Sequence, residues 1–442
     1  HGMTSTTTVD KSSQVLNQHN KRESVESELT FVGLVGIEDP YRDEVPQSIK
    51  VCDEAGIVVH MLTGDHYVTA RAIAQQIGIL KQENLSDMNS VMKATDFDVM
   101  SDEELARMSQ LPLVVARCSP QSKVKMINAL HARKRLVAMT GDGINDAPSI
   151  KISDIGIAMG KGGSDVTKEA ADIILTDDNF NTIVVAVKEG RRIFANIRKF
   201  VVHLLSANVA QFFALLIPVV AGYEMPLNPT QILYVNMITG TPCAVALSVE
   251  KPSSKIMKKR AKQNLFNWET LCDLSYYGLS MALIILLSYF MMTELWLHRD
   301  LKSAQAVSFT STTFMLMFHA YNCRHERRSL FLDQVWKSWL LHLSVLTSIA
   351  LQCITLYVPW VNTTVFAHKP LKGDEWGIVI VGLVAFMTMA ELYKLLKRLC
   401  VKTIKVTWRR LRRGGRAVHV KELNGIIIHT TGTDSDSSSS SH

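Results

Sequence analysis

Hydrophobic and polar positions divide this chain into two regions with different patterns. From residue 30 to residue 199, short apolar runs alternate with stretches that predict helices, such as 66–77, 120–133 and 144–152. Buried strands that alternate with helices are typical of an α/β fold, in which helices cover both faces of a parallel sheet. The functional groups of such a sheet lie at the carboxyl ends of its strands. The predicted strands are 31–37, 56–63, 111–117, 135–140, 155–160 and 172–176.

The second region contains six apolar segments, each about the 20 residues that a helix needs to cross a bilayer. Lys and Arg residues follow the second, fourth and sixth segments, whereas the other connections contain few of them. The positive-inside rule therefore places these basic connections, the α/β region and the C-terminus on the cytoplasmic side. We predict an all-α bundle of six transmembrane helices in an integral membrane protein. The segments are 200–222, 230–249, 271–293, 304–323, 338–359 and 376–396.

These patterns predict four parts of the chain. Residues 1–29 are rich in Ser, Thr, Asn and Gln and show no periodicity, so we expect a flexible segment. Residues 30–199 form the α/β domain and residues 200–400 form the helical bundle. Residues 401–442 are a tail that is first basic and then rich in Ser and Asp, and low complexity at its end is typical of a solvated segment.

Composition narrows the protein classes further. The 442 residues include 48 Lys plus Arg and 41 Asp plus Glu, and 47% of them are hydrophobic. Together with the long apolar segments, this excludes a purely soluble enzyme, a disordered protein and a porin. The excess positive charge lies beside the apolar segments, which indicates membrane topology rather than a nucleic-acid partner. The seven cysteines contain no C-x-x-C pair, so they predict neither a zinc pattern nor a disulfide framework.

Acidic residues and glycines follow the predicted strand 135–140. The sequence of residues 140–146 is TGDGIND, which places Asp142 and Asp146 four residues apart between a strand and a helix. Carboxylate oxygens suit Mg²⁺, and the glycines allow close approach of the backbone to a phosphate. Alone, this motif could also be an ordinary turn.

Two other strand ends carry groups that suit a phosphate. Thr63, Gly64 and Asp65 follow the second predicted strand, where they offer a hydroxyl and backbone N–H groups. Lys123 lies in the first turn of the helix that follows the strand ending at Arg117, and a lysine can neutralise charge during phosphoryl transfer. A single lysine on a helix face is usually only solvated. Three such motifs at strand ends, in this order, favour one shared site.

These motifs resemble a known family. TGD at 63–65, P-x-x-K at 120–123 and TGDGxND at 140–146 are similar to the phosphorylation domain of the P-type cation-transporting ATPases, which has a haloacid-dehalogenase-like fold. DPYR at 39–42 resembles the DPPR hinge of that family, with Tyr where Pro is usual. Within the family, MLTGD, AIAQQIGIL and NVAQ are most similar to the fungal sodium-exporting (type IID) pumps.

The resemblance implies ATP as the substrate and Mg²⁺ as the cofactor. It also implies a transported cation and the lipid bilayer as partners, and the plasma membrane as the location. It implies that Asp142 binds Mg²⁺, and that Asp146 orients the site or binds the metal as well. The residues implied to contact ATP or its phosphate are Asp39 and Arg42 at the hinge, Thr63, Gly64, Asp65, Arg117, Lys123 and Asn145. Those with an implied catalytic role are Asp65, Lys123, Asp142 and Asp146.

The nucleophile of that family, the aspartate of a DKTGT motif, is missing from this sequence. Asp10-Lys11-Ser12 matches only two letters and follows a polar segment, so we reject it. We therefore expect the C-terminal half of a pump, inactive alone, with the missing N-terminal half as its partner. A truncated product that regulates full-length pumps is an alternative. A phosphatase of the same superfamily is disfavoured, because the first predicted strand is followed only by Glu38-Asp39-Pro40.

Polar residues inside the predicted membrane segments are candidates for cation ligands. Pro242 should interrupt the second segment and free backbone carbonyls, although amides and hydroxyls also join packed helices. Compared with the calcium pumps of the family, Gln211, Gly240 and His319 stand where carboxylates are expected. Neutral ligands favour Na⁺, or K⁺, over Ca²⁺, and a calcium pump is the alternative. The predicted cation ligands are Asn208, Gln211, Asn236, Thr239 and His319, whereas His203 is predicted to be a packing residue.

Overall fold

The computed structural model describes most of the chain, with side chains as far as residue 400. Residues 1–43 form one unit and residues 44–442 another. The segment predicted to be flexible, 1–29, lies outside the described residues. These comprise 30–33, 35–36, 40–82, 88–252, 256–258, 264–295, 297–325, 329–330, 338–413, 420–423 and 426–429.

The described residues of the α/β region form six short parallel strands in two sheets rather than in one. The orders are β1-β3-β2 and β4-β5-β6. The parallel arrangement is confirmed. The strands are β1 Met61–Leu62, β2 Val91–Lys93, β3 Val114–Ala116, β4 Ala138–Gly141, β5 Ile155–Met159 and β6 Ile173–Leu175. The helices are α1 Val45–Glu54, α2 Tyr67–Gln76, α3 Ala94–Val99, α4 Asp102–Arg107, α5 Pro120–Ala132, α6 Ala147–Ile152 and α7 Asp165–Ala170.

The predicted strand at 31–37 is wrong for the residues of it that are described. Phe31, Val32 and Val35 are 77%, 97% and 90% exposed and lie outside any strand. An apolar run becomes a strand only where a neighbouring strand accepts its backbone hydrogen bonds, as β1 and β2 do on either side of β3. The short strand β2, in contrast, is missing from the sequence-based prediction.

One long helix, α8 Phe180–Val220, joins the α/β region to the helical region. Its first turns pack Ile183 against Ile157 and Leu175 of the second sheet. The guanidinium of Arg191 donates a hydrogen bond of 3.0 Å to the carbonyl of Ala55. With 41 residues the helix is about 60 Å long. The domain boundary predicted at residue 199 therefore falls inside a continuous element.

Helical segments occur at all six predicted membrane positions. Four helices, Phe180–Val220, Trp268–Leu295, Trp339–Tyr357 and Gly373–Cys400, are long and apolar enough to cross a membrane. Of the remaining two segments, 230–249 is not one continuous helix, and 304–323 contains several Ser and Thr residues. The topology of six membrane spans stays a prediction. The elements after α8 are α9 Pro229–Tyr234, α10 Thr241–Ser248, α11 Trp268–Phe290, α12 Leu301–Cys323, α13 Trp339–Tyr357 and α14 Gly373–Arg413.

The segment from α9 to α10 contains the interruption expected from Pro242. Between the two helices, residues Val235–Gly240 form a wide π-helical turn. Pro242 lies in the first turn of α10 and has no N–H to donate. The hydroxyl of Thr241 donates to the carbonyl of Asn236 at 3.1 Å. The distortion therefore falls in the stretch that carries two of the predicted cation ligands.

The tail differs from the prediction in its first part. Helix α14 continues to Arg413 instead of ending near residue 400. An antiparallel hairpin follows, formed by β7 Val420–Leu423 and β8 Ile426–His429. The last residues, 430–442, lie outside the described part of the chain.

Candidate functional site

The residues after β1 form a tight turn. The hydroxyl of Thr63 donates to Oδ2 of Asp65 at 2.8 Å, and the backbone N–H of Asp65 donates to the same hydroxyl oxygen at 3.1 Å. Gly64 and Asp65 are exposed, and a Cβ atom at Gly64 would meet no other atom within 4 Å. The turn therefore presents its backbone to solvent at the carboxyl end of a parallel strand.

Backbone hydrogen bonds tie this turn to Arg117. The N–H of Arg117 donates to the carbonyl of Asp65 at 3.1 Å, and that of Cys118 donates to the carbonyl of Thr63 at 2.8 Å. Arg117 has a φ of 60°, which a non-glycine residue adopts only when its surroundings hold it there. The structure thus brings together two motifs that lie more than 50 residues apart in the chain.

Lys123 and Asp146 form an ion pair. The Nζ of Lys123 lies 2.5 Å from Oδ1 of Asp146, and the two side chains are 16% and 10% exposed. Lys123 belongs to the first turn of α5, where Ser119 and Ser122 cap the helix reciprocally. The hydroxyl of Ser122 also donates to Asp98 at 2.7 Å. The cap therefore fixes the start of α5 and the direction of the lysine.

Gly141 and Asp142 shape the loop after β4. A Cβ atom at Gly141 would lie 2.5 Å from the side chain of Asp146, so this position admits only glycine. The carboxylate of Asp142 is exposed and makes no hydrogen bond to the described residues, while its carbonyl accepts from Ser164 N–H at 2.9 Å. Asn145 is exposed as well. The structure therefore leaves the predicted metal ligand open to a cation.

Asp178 is a supporting residue that the sequence-based prediction missed. It has a φ of 51°, and its carboxylate accepts hydrogen bonds from the N–H groups of Gly160, Lys161 and Gly162 at 2.6, 3.1 and 2.7 Å. These bonds hold the loop after β5. Ser164, two residues after Gly162, donates its N–H to the carbonyl of Asp142. The glycine-rich run after β5 was the available sequence signal.

The predicted hinge residues remain predictions. Asp39 lies outside the described residues. Arg42 is described but belongs to the unit of residues 1–43.

In the helical region, two predicted cation ligands bind each other. Gln211 and Asn236 exchange two side-chain hydrogen bonds, each of 3.1 Å, between α8 and the π-helical turn. Thr239 is fully buried, and its hydroxyl has no hydrogen-bond partner in the described structure. Asn208 is exposed on α8. A neutral, oxygen-bearing group of side chains is therefore present where α8 meets the interrupted segment.

His319 has different neighbours from the other four candidates. It is fully buried on α12. Its Nε2 lies 3.3 Å from the Sγ of Cys323, and its ring lies 4.7 Å from that of Tyr277 and 5.7 Å from that of His203. The side chains that contact His319 thus offer nitrogen, sulfur and aromatic groups.

Glu250, after α10, forms ion pairs with two other helices. Its carboxylate lies 2.8 Å from Lys199 Nζ on α8 and 2.5 Å from Nε of Arg324, which follows α12. The amide of Asn196 donates to the carbonyls of Ser248 and Glu250 at 3.0 and 2.8 Å. Burial raises the pKa of Glu250. The positive charges of Lys199 and Arg324 together lower it by more, so the pKa lies below its ordinary value of 4.5.

Two stretches of the chain match known protein families. Residues 6–154 match the family described as haloacid dehalogenase-like hydrolase. Residues 224–396 match the family described as Cation transporting ATPase, C-terminus. The first stretch includes the α/β motifs from Thr63 to Asp146, and the second includes every predicted membrane segment except the first.

Curated relatives extend the similarity over most of the chain. Sodium/potassium exporting P-type ATPase 2 of Saccharomyces cerevisiae is 40% identical over 88% of this chain and 39% of its own length. Sodium/potassium exporting P-type ATPase cta3 of Schizosaccharomyces pombe is 39% identical over 85% of this chain and 40% of its own length. Calcium-transporting ATPase 1 of Bacillus cereus is 38% identical over 85% of this chain and 43% of its own length.

The chain thus spans less than half the length of these relatives. The α/β region and the helical region nevertheless both match proteins of one family. They show that the chain belongs to the P-type cation-transporting ATPases and corresponds to their C-terminal part.

Proposed function

We propose that the full-length protein couples ATP hydrolysis to the export of a monovalent cation, Na⁺ or K⁺, through an aspartyl phosphate. The observation that carries this proposal is the continuous helix α8. Its first turns pack on the α/β region, and its later turns carry Gln211 of the neutral amide pair. A movement of the α/β region would reach the amide pair through this helix.

In this proposal the α/β site binds the phosphates of ATP. The backbone around Gly64 and the hydroxyl of Thr63 bind phosphate oxygens, and Lys123 stabilises negative charge on the transferred phosphoryl group. The exposed carboxylate of Asp142 fits Mg²⁺, with Asp146 beside it held by Lys123. Bound there, Mg²⁺ would neutralise phosphate charge. The turn at Asp65 and the strained Arg117 keep these groups in place.

The attacking aspartate comes, in this proposal, from the N-terminal half of the pump. Both β1 and β4 lie at the edges of their three-stranded sheets. A strand that carries the nucleophile and pairs with such an edge would reach the end of the strand, where Thr63 and Asp142 lie. The α/β region and the tail would then be cytoplasmic, and the helices would lie in the plasma membrane.

The neutral character of the amide pair favours a monovalent ion. Gln211, Asn236 and Thr239 offer only uncharged oxygens, whereas Ca²⁺ sites contain several carboxylates. Calcium transport is the second candidate, since the relative from Bacillus cereus is named a calcium-transporting ATPase.

The test reconstitutes the full-length protein in vesicles and records ATPase rates with Na⁺, K⁺ and Ca²⁺ in turn. We expect stimulation by Na⁺ or K⁺, and stimulation by Ca²⁺ alone would overturn the ion assignment. Gln211→Glu adds a carboxylate and should shift the preference toward Ca²⁺. The same change at Gln352, which is fully buried on α13, is the matched control and should leave the preference unchanged.

A further inference from the structure

Three metal-binding side chains meet inside the helical region, apart from the amide pair. His319 and Cys323 lie four residues apart on one face of α12, and His203 lies on α8. One ligand atom from each, imidazole nitrogen or thiol sulfur, lies within 4.8 Å of the others. The sulfur of Cys323 is 3.3 Å from Nε2 of His319. All three residues are buried.

The histidine nitrogens in this cluster have unused hydrogen-bonding capacity. Among the described residues, both ring nitrogens of His203 and the Nδ1 of His319 are buried and have no partner in hydrogen-bond geometry. A polar atom buried without a partner costs about 1–3 kcal/mol, so native proteins rarely leave several together without a ligand. The backbone groups of Gly240 and Val202 lie near the two rings. They can hold the second nitrogen of each ring, as acceptors do behind metal-bound histidines.

We propose that His203, His319 and Cys323 form a binding site for a thiophilic divalent metal ion, of which Zn²⁺ is the representative. Tetrahedral Zn²⁺ places nitrogen and sulfur ligands about 3.5 Å apart, close to the spacing of Cys323 and His319. A bound ion would draw the His203 ring closer, since its ligand atom lies within 4.8 Å of the other two. Imidazole and thiolate are poor ligands for Na⁺ and K⁺, so this site is separate from the amide pair.

Two features shape the behaviour of the site. Lys394 is fully buried, and its Nζ donates to Asn322, the neighbour of Cys323, at 3.2 Å. This bond holds Asn322 on the turn of α12 that carries Cys323. Three protein ligands leave a fourth position open, as in zinc sites that exchange a ligand. A bound ion would also join α8 to α12.

The test titrates Zn²⁺ alone into the full chain purified in detergent, and measures binding and the zinc-edge X-ray absorption spectrum. We expect one tightly bound ion with a sulfur ligand at about 2.3 Å and nitrogen ligands at about 2.0–2.1 Å. Cys323→Ser preserves the size of the side chain and should weaken binding at least about 100-fold, with loss of the sulfur signal. His203→Gln should also weaken binding but keep that signal at high Zn²⁺.

Cys243→Ser is the matched control, because Cys243 is fully buried in α10 and lies outside the cluster. It should leave affinity and spectrum unchanged. Zn²⁺ should also raise the unfolding temperature of the wild type and of Cys243→Ser, but not that of Cys323→Ser. Equal affinity of the wild type and a folded Cys323→Ser variant, or a spectrum without sulfur, would overturn the proposal.

Discussion

The candidate sites of the α/β region and those of the helical region are constructed in opposite ways. In the α/β region, Gly64, Asp65 and Asp142 are exposed at strand ends, and their turns are held largely by backbone hydrogen bonds. In the helical region, Gln211 and His319 are buried, and each contacts a side chain from another segment. One site is open to a ligand from solvent, and the other is closed by its own polar groups.

The surroundings account for this difference. Water satisfies the polar groups of the α/β loops, so a carboxylate such as that of Asp142 can stay free for a ligand. Inside a membrane no water is available, and polar side chains must satisfy each other. Substitutions of the exposed side chains of the α/β site should therefore change function without changing stability, whereas those among the helices should often change both.

The largest expected effect follows from Asp142→Asn in the full-length protein. This exposed carboxylate has no hydrogen bond to the described residues, so the unfolding temperature should stay the same. Mg²⁺-dependent phosphoenzyme should fall by at least about 1,000-fold, because a metal ligand is lost. The amount of phosphoenzyme is measured as the radiolabel that the protein takes up from radiolabelled ATP. Asp165→Asn, at a side chain 98% exposed, is the control, and normal labelling of Asp142→Asn would contradict the metal role.

Lys123→Ala tests the partly buried Lys123–Asp146 ion pair of the α/β site. The change leaves the carboxylate of Asp146 buried without its cation, which should cost about 3 kcal/mol of unfolding free energy. ATPase activity should fall about 100-fold. Adding Asp146→Asn should restore most of the stability but none of the activity. Denaturant unfolding and ATPase rates measure the two effects, and recovery of activity in the double variant would refute the role of Lys123.

Glu250→Gln should destabilise the chain by about 2–3 kcal/mol, because it removes the carboxylate between Lys199 and Arg324. The lowered pKa of Glu250 also sets a pH dependence. The ionised carboxylate stabilises the folded chain fully at pH values above its ordinary pKa of 4.5. This stabilisation is lost as the pH falls through the lower pKa that Glu250 has in the folded chain. Thermal unfolding between pH 7 and pH 3 should show this loss in the wild type but not in Glu250→Gln. Glu224→Gln, at an exposed position, should behave as the wild type.

Thr239→Val separates a cation ligand from a packing residue. The buried hydroxyl of Thr239 has no partner in the described structure, so its removal should leave the unfolding temperature unchanged or raise it. If the hydroxyl binds the transported ion, the cation concentration for half-maximal ATPase should rise about 10-fold. Thr313→Val is the control, since that hydroxyl bonds within its own helix. An unchanged cation dependence would exclude Thr239 as a ligand.

The smallest effect is expected from deleting residues 430–442. Their Ser- and Asp-rich sequence cannot build a core, so transport in vesicles should match that of the full-length protein. Loss of transport would assign a function to this end of the tail.

Much of the α/β site could be predicted from the sequence because its signals are local. The Ser119 cap and Pro120 begin α5 at the position that the pattern predicts, and the glycines of TGDGIND mark the turn after β4. The strand predicted at 31–37 is wrong for its described residues, and Asp178 is missing from the prediction. In both cases the outcome depends on a partner elsewhere in the chain: a neighbouring strand in the first, and three backbone N–H groups in the second.

The sequence by itself determined the two regions, the order of the motifs proposed to bind phosphate, the interruption before Pro242 and the family. These follow from local periodicity, glycine and proline geometry, and short motifs. Only the tertiary structure decided that Gln211 pairs with Asn236, that Glu250 joins two helices, and that His203 meets His319 and Cys323. Such contacts depend on how helices far apart in the chain pack together, and no spacing between neighbouring residues encodes them.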